Sequence, residues 1–290
     1  MIKSTVGIVT ITRNNEQEVI NVFSELKKQS YKDFIFYVID DYSDGLPLLK
    51  SIDDPRFKLL KYPGKHEFSY GNKFNYAFKC AIEDGLEFIF KVHTDMSFPN
   101  ILLVEALKKA MIKNEKVVMV GPTIFNGEGK KTWGPGIVKR RCGHEICITE
   151  SYMIRASYLT EQNGFEDENF TWFMEEADLF LRVIYGGNEV KQVEEELIHF
   201  GGATSSKFSK IKKFHRSRSS ILFLYKHNSK QRLYRNIRWL WFELKGDINE
   251  GLNYIVKRNL ALAMQLYYNM LLGTLSAITT ILTKRIQRIK

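Results

Sequence analysis

"VGIVTITRNNEQEVINVFSELKKQSYKDFIFYVIDDYSDG", residues 6 to 45, decides the fold class. A β-favouring run from Val6 ends at Thr12 and gives way to Arg13-Asn14-Asn15. The next stretch, about 15 to 29, spaces its apolar residues for one face of a helix. "FIFYVID" then forms a second strand that stops on Asp40 and Asp41. Strand, helix and strand in so short a span make a βαβ unit, whose strands run parallel because the helix carries the chain back across the sheet.

The same alternation continues outward. A short helix near 46 to 51, "FKLLKY", a helix from about 72 to 84, "LEFIFKV", a helix from about 99 to 114 and "KVVMVG" follow in order. This predicts an α/β fold with a mainly parallel central sheet flanked by helices. Its ligand site should lie at the carboxyl ends of the strands. Between 121 and 147 glycines and prolines accumulate, which reads as a linker into a mixed second half. That half should hold a strand near 147 to 155, "FTWFMEEADLFLRVIYGG" (170 to 187) as one helix stopped by glycines, and strands near 189 to 200. Beyond 205 the chain reads as helical to its end.

With 290 residues and 44% hydrophobic content, the chain can bury a substantial core, which argues against disorder. Its net charge of +10 is uneven: residues 205 to 238 carry eleven Lys and Arg and no Asp or Glu. That run lacks the other features of a nucleic-acid module, so a solvated helix near phosphate or membrane is the better reading, and nucleic acid is the weaker partner. Three cysteines, Cys80, Cys142 and Cys147, make no disulfide scaffold and point to a reducing compartment. "CGHEIC" (142 to 147) has no fourth ligand in zinc-module spacing. Met1-Ile2-Lys3 leads directly into strand-like sequence without a signal-peptide layout, which predicts a cytoplasmic protein.

Buried strands that end on carboxylates need a reason. Asp40 and Asp41 close the second strand, and "EFIFKVHTDMSF" (87 to 98) carries the chain from an apolar run to Asp95. Asp, Asn and Ser also make turns and helix caps, so any one of these has an equally good structural explanation. Their recurrence at strand ends of a parallel sheet, which all face one rim, favours a site.

These residues carry a resemblance. "VGIVTITRNNEQEVINVFSELKKQSYKDFIFYVIDDYSDG", "YGNKFNYAFKCA", "VHTDMSF", "GFEDENFTWFMEEADLFLR", "IHFGGATSS" and "RSRSSILFLYKH" occur in the order and spacing of the family 2 inverting glycosyltransferases with the GT-A fold, especially the rhamnosyltransferase-like members. The resemblance runs from about residue 5 to 228. It implies a GT-A domain over 1 to 204, with a nucleotide-sugar-binding half (1 to 120) and an acceptor and catalytic half (121 to 204). A basic helical extension follows over 205 to 290.

The resemblance implies transfer of a sugar from a nucleotide-diphosphate donor to a hydroxyl of a glycan or lipid-linked glycan, with inversion. Donor-binding positions are Thr12, Arg13, Asn14, Asp40, Asp41, Asn72 and Thr94. The leaving diphosphate develops charge that a divalent cation, Mg2+ or Mn2+, can neutralise. Asp95 and His199 are the implied ligands, although His93 stands where a strict Asp-x-Asp motif has its first carboxylate. The acceptor hydroxyl needs a general base. The family pattern places it on Glu176, with Asp178 as competitor, whereas acidic residues at a helix start are also stabilised by the dipole alone. His199 has a structural reading too, as a histidine after a strand.

Asn259 to Thr283 contains no charged residue and is bracketed by Lys257-Arg258 and Lys284-Arg285. It is long enough to span a bilayer, and equally suits a helix on the cytoplasmic membrane face or a homo-oligomer contact. Two other classes compete with the enzyme: a catalytically silent nucleotide-sugar-binding relative and a nucleic-acid-binding protein.

Overall fold

In the computed structural model, β1 (Val6–Thr12) and β2 (Phe34–Asp40) pair in parallel from Val6 against Phe34 to Thr12 against Asp40, with α1 (Glu16–Lys28) between them. The structure describes residues 5–65, 69–133, 150–161, 165–201, 209–227, 233–258 and 260–284. α1 buries Val19, Val22, Phe23 and Leu26, one helical face, against Phe34, Phe36 and Val38, which alternate onto one side of β2. Phe23 stacks on Phe36 with ring centroids 5.7 Å apart. The other side of β2 carries Tyr37, whose hydroxyl donates to Asp84.

The remaining elements are α2 (Pro47–Lys50), β3 (Phe57–Lys61), α3 (Tyr70–Glu83), β4 (Phe88–Lys91), β5 (Met96–Ser97), α4 (Leu103–Ile112), β6 (Val117–Asn126), β7 (Lys131–Trp133), β8 (Tyr152–Arg155), α5 (Ala156–Glu161), α6 (Glu175–Tyr185), β9 (Glu189–His199), α7 (Ser209–Lys226), α8 (Leu233–Val256) and α9 (Leu260–Lys284). The described strands form one sheet ordered β3-β2-β1-β4-β8-β6-β9-β5, with β7 beside β6. β1 to β4 are mutually parallel; β8 is antiparallel to β4 and to β6, and β9 is parallel to β6. Gly7 lets α3 approach β1, since a Cβ there would meet Leu86 Cδ1 at 2.9 Å and Ala81 Cβ at 3.1 Å.

The sheet thus has the expected class, with three corrections in detail. Residues 121 to 126 belong to β6 and 131 to 133 to β7, so the front of the glycine-rich stretch is sheet rather than linker. Its Pro122 sits where the β6–β9 register shifts, a bulge that removes the need for a ladder N–H. The helix expected over 170 to 187 starts only at Glu175, because Phe173 and Met174 take left-handed backbone angles, φ 73° and 71°. A single strand fills 189 to 199. The Cys142–His144–Cys147 group lies outside the described residues.

The chain divides into two compact units. One contains the described strands and α1 to α5 with nearly all of α6; the other joins α7, α8 and α9 to the segment Glu168–Glu175. In the second, a Cβ at Gly273 would fall 2.2 Å from the Phe214 carbonyl oxygen, so α9 packs on α7 at backbone distance. The basic run is not simply a solvated face: Arg218 is buried, donates to the Asn169 carbonyl, and reaches Ser276 and Thr280 on α9. Its guanidinium ties loop backbone to α7 and α9.

His215, on α7, is 8% exposed and pairs through Nδ1 with Thr171 Oγ1 at 2.6 Å. Burial, and then the Arg218 charge, push its pKa down to about 4. The unfolded imidazole titrates near 6.5, so between these values the unfolded chain binds a proton that the folded chain refuses. This contribution is complete above pH 6.5 and is lost as pH falls toward 4. Hydrogen exchange of α7 amides should report about 1–3 kcal/mol of destabilisation over that window, and His215→Gln should flatten the slope.

Candidate active site

Strand direction assembles the site. β1, β2 and β4 end on one edge; β6, antiparallel to β8, which is itself antiparallel to β4, runs the same way, and β9 follows β6. Thr12, Asp40, the residues after Lys91 and His199 therefore share a rim. β5 pairs antiparallel with the end of β9, Met96 opposite His199, and the Phe200 N–H donates to the Asp95 carbonyl at 3.0 Å.

That pairing brings Asp95 Oδ1 within 3.2 Å of His199 Nε2, while His199 Nδ1 meets Glu150 Oε2 at 2.8 Å. Burial alone would lower the His199 pKa, but the hydrogen bonds and charges of Asp95 and Glu150 push it up to about 10. Burial would raise Asp95; His199 holds it below the usual carboxylate value. His93 stacks on His199 with centroids 6.0 Å apart and sits edge-on to Phe74 at 5.6 Å. Burial, then the charges of Lys91 and His199, push it down to about 4, so the residue at the first Asp-x-Asp position is a neutral aromatic packing group.

The donor set fits a divalent cation. A carboxylate oxygen and an imidazole nitrogen suit Mn2+, and carboxylate suits Mg2+. Glu150 on Nδ1 provides the carboxylate–histidine arrangement that orients a metal-ligating Nε2. No cluster of three or more ligating side chains occurs among the described residues, so substrate oxygens and water would have to complete the shell.

The two candidate bases sit differently. Glu176, in the first turn of α6, has its side chain 15% exposed and accepts from Lys91 Nζ at 2.8 Å. Burial would raise its pKa, and Lys91 holds it below the usual value. Asp178 is fully buried and engaged by Arg182 Nε at 2.8 Å, one helical turn on. Arg182 also donates to the Phe165 carbonyl.

Among the donor-binding positions, Asn14 takes φ 57° and its side-chain amide exchanges hydrogen bonds with Asp44, both 2.9 Å, which closes the loop after β1 onto the loop after β2. Asp40 accepts the Ser43 N–H at 2.9 Å and lines a cavity of 640 Å³ beside Tyr42, Leu49 and Lys61. Asp41 is buried in a 2.6 Å ion pair with Lys73 of α3, so it ties helix to strand. Arg13 is exposed and Thr94 half-buried in the turn after β4. Thr12 Oγ1, Ser69 Oγ and Asn72 Oδ1 are buried and have no hydrogen-bond partner among the described residues. Such groups at a strand end and a helix start are what a polar ligand would satisfy.

Lys91, Glu166, Tyr152, Lys73 and Glu150 escape the sequence reading. Lys91 alone gives a signal, as a single charge inside the apolar run "FIFKV".

A mixed sheet of this topology, with acidic and imidazole groups on its carboxyl rim, is the GT-A fold of glycosyltransferases. A family model described as glycosyl transferase family 2 matches residues 7–174, and the chain belongs to that family. Among solved structures it is similar to TarS 1-349 of S. aureus, at 12% identity and TM-score 0.66 over 97% of this chain and 82% of that one. The same protein in complex with UDP-GlcNAc gives 14% identity and TM-score 0.63, over 91% and 79% of the two chains. The mannosyltransferase PcManGT from Pyrobaculum calidifontis, in complex with GDP-Man and Mn2+, gives 13% identity and TM-score 0.63, over 97% and 88%. At these identities the likeness shows the fold. No curated protein matches the chain by sequence.

If Asp95 and His199 hold a cation, Mn2+ with UDP or GDP should raise the melting temperature of the protein above either component alone. Asp95→Asn should fold normally and lose that metal-dependent increment, measured by thermal shift.

Proposed function

We propose that this family 2 enzyme is an inverting transferase that moves a sugar from a nucleotide-diphosphate donor to a hydroxyl of a glycan or lipid-linked glycan. The observation that carries the reading is the set of strand ends on one rim, with an Asp95–His199 pair, Glu176 held by Lys91, and buried polar groups left open at β1 and α3. TarS with UDP-GlcNAc and PcManGT with GDP-Man and Mn2+ support a UDP- or GDP-linked donor and a divalent cation.

In this reading Asp40 contacts the nucleoside side of the donor, with Thr12 and Asn72 toward the ribose and phosphates. Asp95 and His199 would hold Mg2+ or Mn2+, which neutralises charge on the leaving diphosphate when bound. The acceptor oxygen attacks the anomeric carbon as its bond to the diphosphate breaks, and Glu176 takes the hydroxyl proton. Asp178 is the poorer base because Arg182 occupies its carboxylate inside the protein. Glu176→Gln should retain donor-induced thermal stabilisation while kcat falls by about 10²–10⁴-fold. A variant with unchanged kcat would move the base elsewhere, and a wild-type chain that binds donor without turnover would support a silent relative.

We further propose that the protein works at the cytoplasmic membrane face. Leu260–Thr283 is long and apolar enough to cross a membrane by composition. Its exposed row of Met264, Tyr268, Leu271, Leu275, Ile278 and Leu282 better suits a helix lying in an interface with its opposite side on α7. Leu271→Glu with Leu275→Glu should abolish flotation with anionic vesicles. If these changes alter molecular size and leave flotation intact, the row is an oligomer contact.

A further inference from the structure

Lys91 ends β4 with no exposed surface, in a buried apolar run in which Ile89 shares its face and Phe88, Phe90 and Val92 take the other. Its Nζ sits 2.5 Å from Glu166 Oε1 and 2.8 Å from Glu176 Oε1, with the Phe74 ring centroid 4.1 Å away. Tyr152 donates to Glu166 Oε1 at 2.7 Å, and Asn75 clamps the Glu166 backbone through its N–H at 3.0 Å and its carbonyl at 2.8 Å. Glu166 is as buried as Lys91, whereas Glu176 alone has an open edge. A buried ion pair is a poor source of stability compared with apolar side chains of similar volume. Ile89, the preceding residue on the same face, shows that an apolar side chain is accommodated there. The triad has a direction: cation and fixed carboxylate inside, second carboxylate at the rim.

We propose that Lys91 is a positioning residue for the transfer reaction, holding the Glu176 carboxylate ionised and turned to the rim, with Glu166 anchoring the lysine from behind. This rests on the assignment of Glu176 as base. The groups facing Glu176 are Lys91, His93 and Glu166, with Tyr152 behind Glu166. Burial pushes the Glu166 pKa up in spite of Lys91, whereas Lys91 holds that of Glu176 down.

The test is a carboxyl 13C NMR titration of glutamate-labelled full-length protein, with the Glu176 signal assigned by its loss in Glu176→Gln. It is run beside the pH dependence of kcat with UDP-GlcNAc or GDP-mannose, whichever turns over. In Lys91→Met the Glu176 midpoint and the acid limb of kcat should rise by about one unit or more. kcat should fall by about 10–100-fold, with KM for the donor little changed. In Glu166→Gln both should move to lower pH, because the lysine then serves Glu176 alone. Should Lys91→Met fail to fold, the double variant Lys91→Met with Glu166→Gln leaves one buried carboxylate fewer and should show the upward shift. Midpoints equal to wild type in Glu166→Gln and in the double variant would overturn the proposal. A fully active Glu176→Gln removes the base reading and this inference together; an inactive Glu176→Gln with unmoved midpoints removes only this inference.

Discussion

Everything at the rim depends on the parallel ladder that β1 makes with β2 on one side and β4 on the other. Full-length pairing of Val6–Thr12 with Phe34–Asp40, and of Val6–Val9 with Phe88–Lys91, puts three chain exits on one edge. The ladder tolerates little displacement, because the alternate faces of β1 and β2 are packed, by α1 on one side and α3 on the other. A one-residue slip would turn Phe36 and Val38 away from α1 and disrupt the Tyr37–Asp84 contact.

On this frame stand two charge clusters of different character. Asp95, His199 and Glu150 are partly exposed, with side chains 21%, 22% and 34% accessible, and the two carboxylates hold the imidazole at both ring nitrogens. Water and ligand can reach that group. Lys91, Glu166 and Glu176 are mostly sealed, and their geometry is fixed by packing and by Tyr152 and Asn75. His93 feels the charge of both clusters. An aspartate in its place would add a negative charge beside Phe74, so the departure from Asp-x-Asp goes with an aromatic wall on that side.

The helical unit solves a different problem. α9 buries the small residues Ala263, Gly273 and Ala277 together with Leu266, and leaves Met264, Tyr268, Leu271, Leu275 and Leu282 exposed. Close backbone approach at Gly273 is possible only because no side chain intervenes. Arg218 and His215, which belong to the basic run, are consumed inside this unit. A charge count along the chain therefore overstates the cations available to a partner.

The sequence by itself determined the βαβ order, the strand ends and the residue types at the rim, because hydrophobic period and turn chemistry are local properties. Thr12, Asp40 and Asp95 stand at or just after strand ends for that reason, whereas Glu176 was singled out through the resemblance to a known family. Tertiary structure alone decided what each carboxylate does. Asp40 and Asp41 are adjacent in the chain, yet one caps a loop beside a cavity and the other is buried on Lys73. Glu176 and Asp178 share a helical turn, yet one reaches the rim and the other pairs with Arg182. Lys91 meets Glu166 and Glu176 across 75 and 85 residues, and His199 meets Asp95 through a β5–β9 pairing across an even longer span. No local pattern encodes such meetings; they exist because a curled sheet brings distant strand ends within hydrogen-bond distance, and burial then fixes which partner each charge must take.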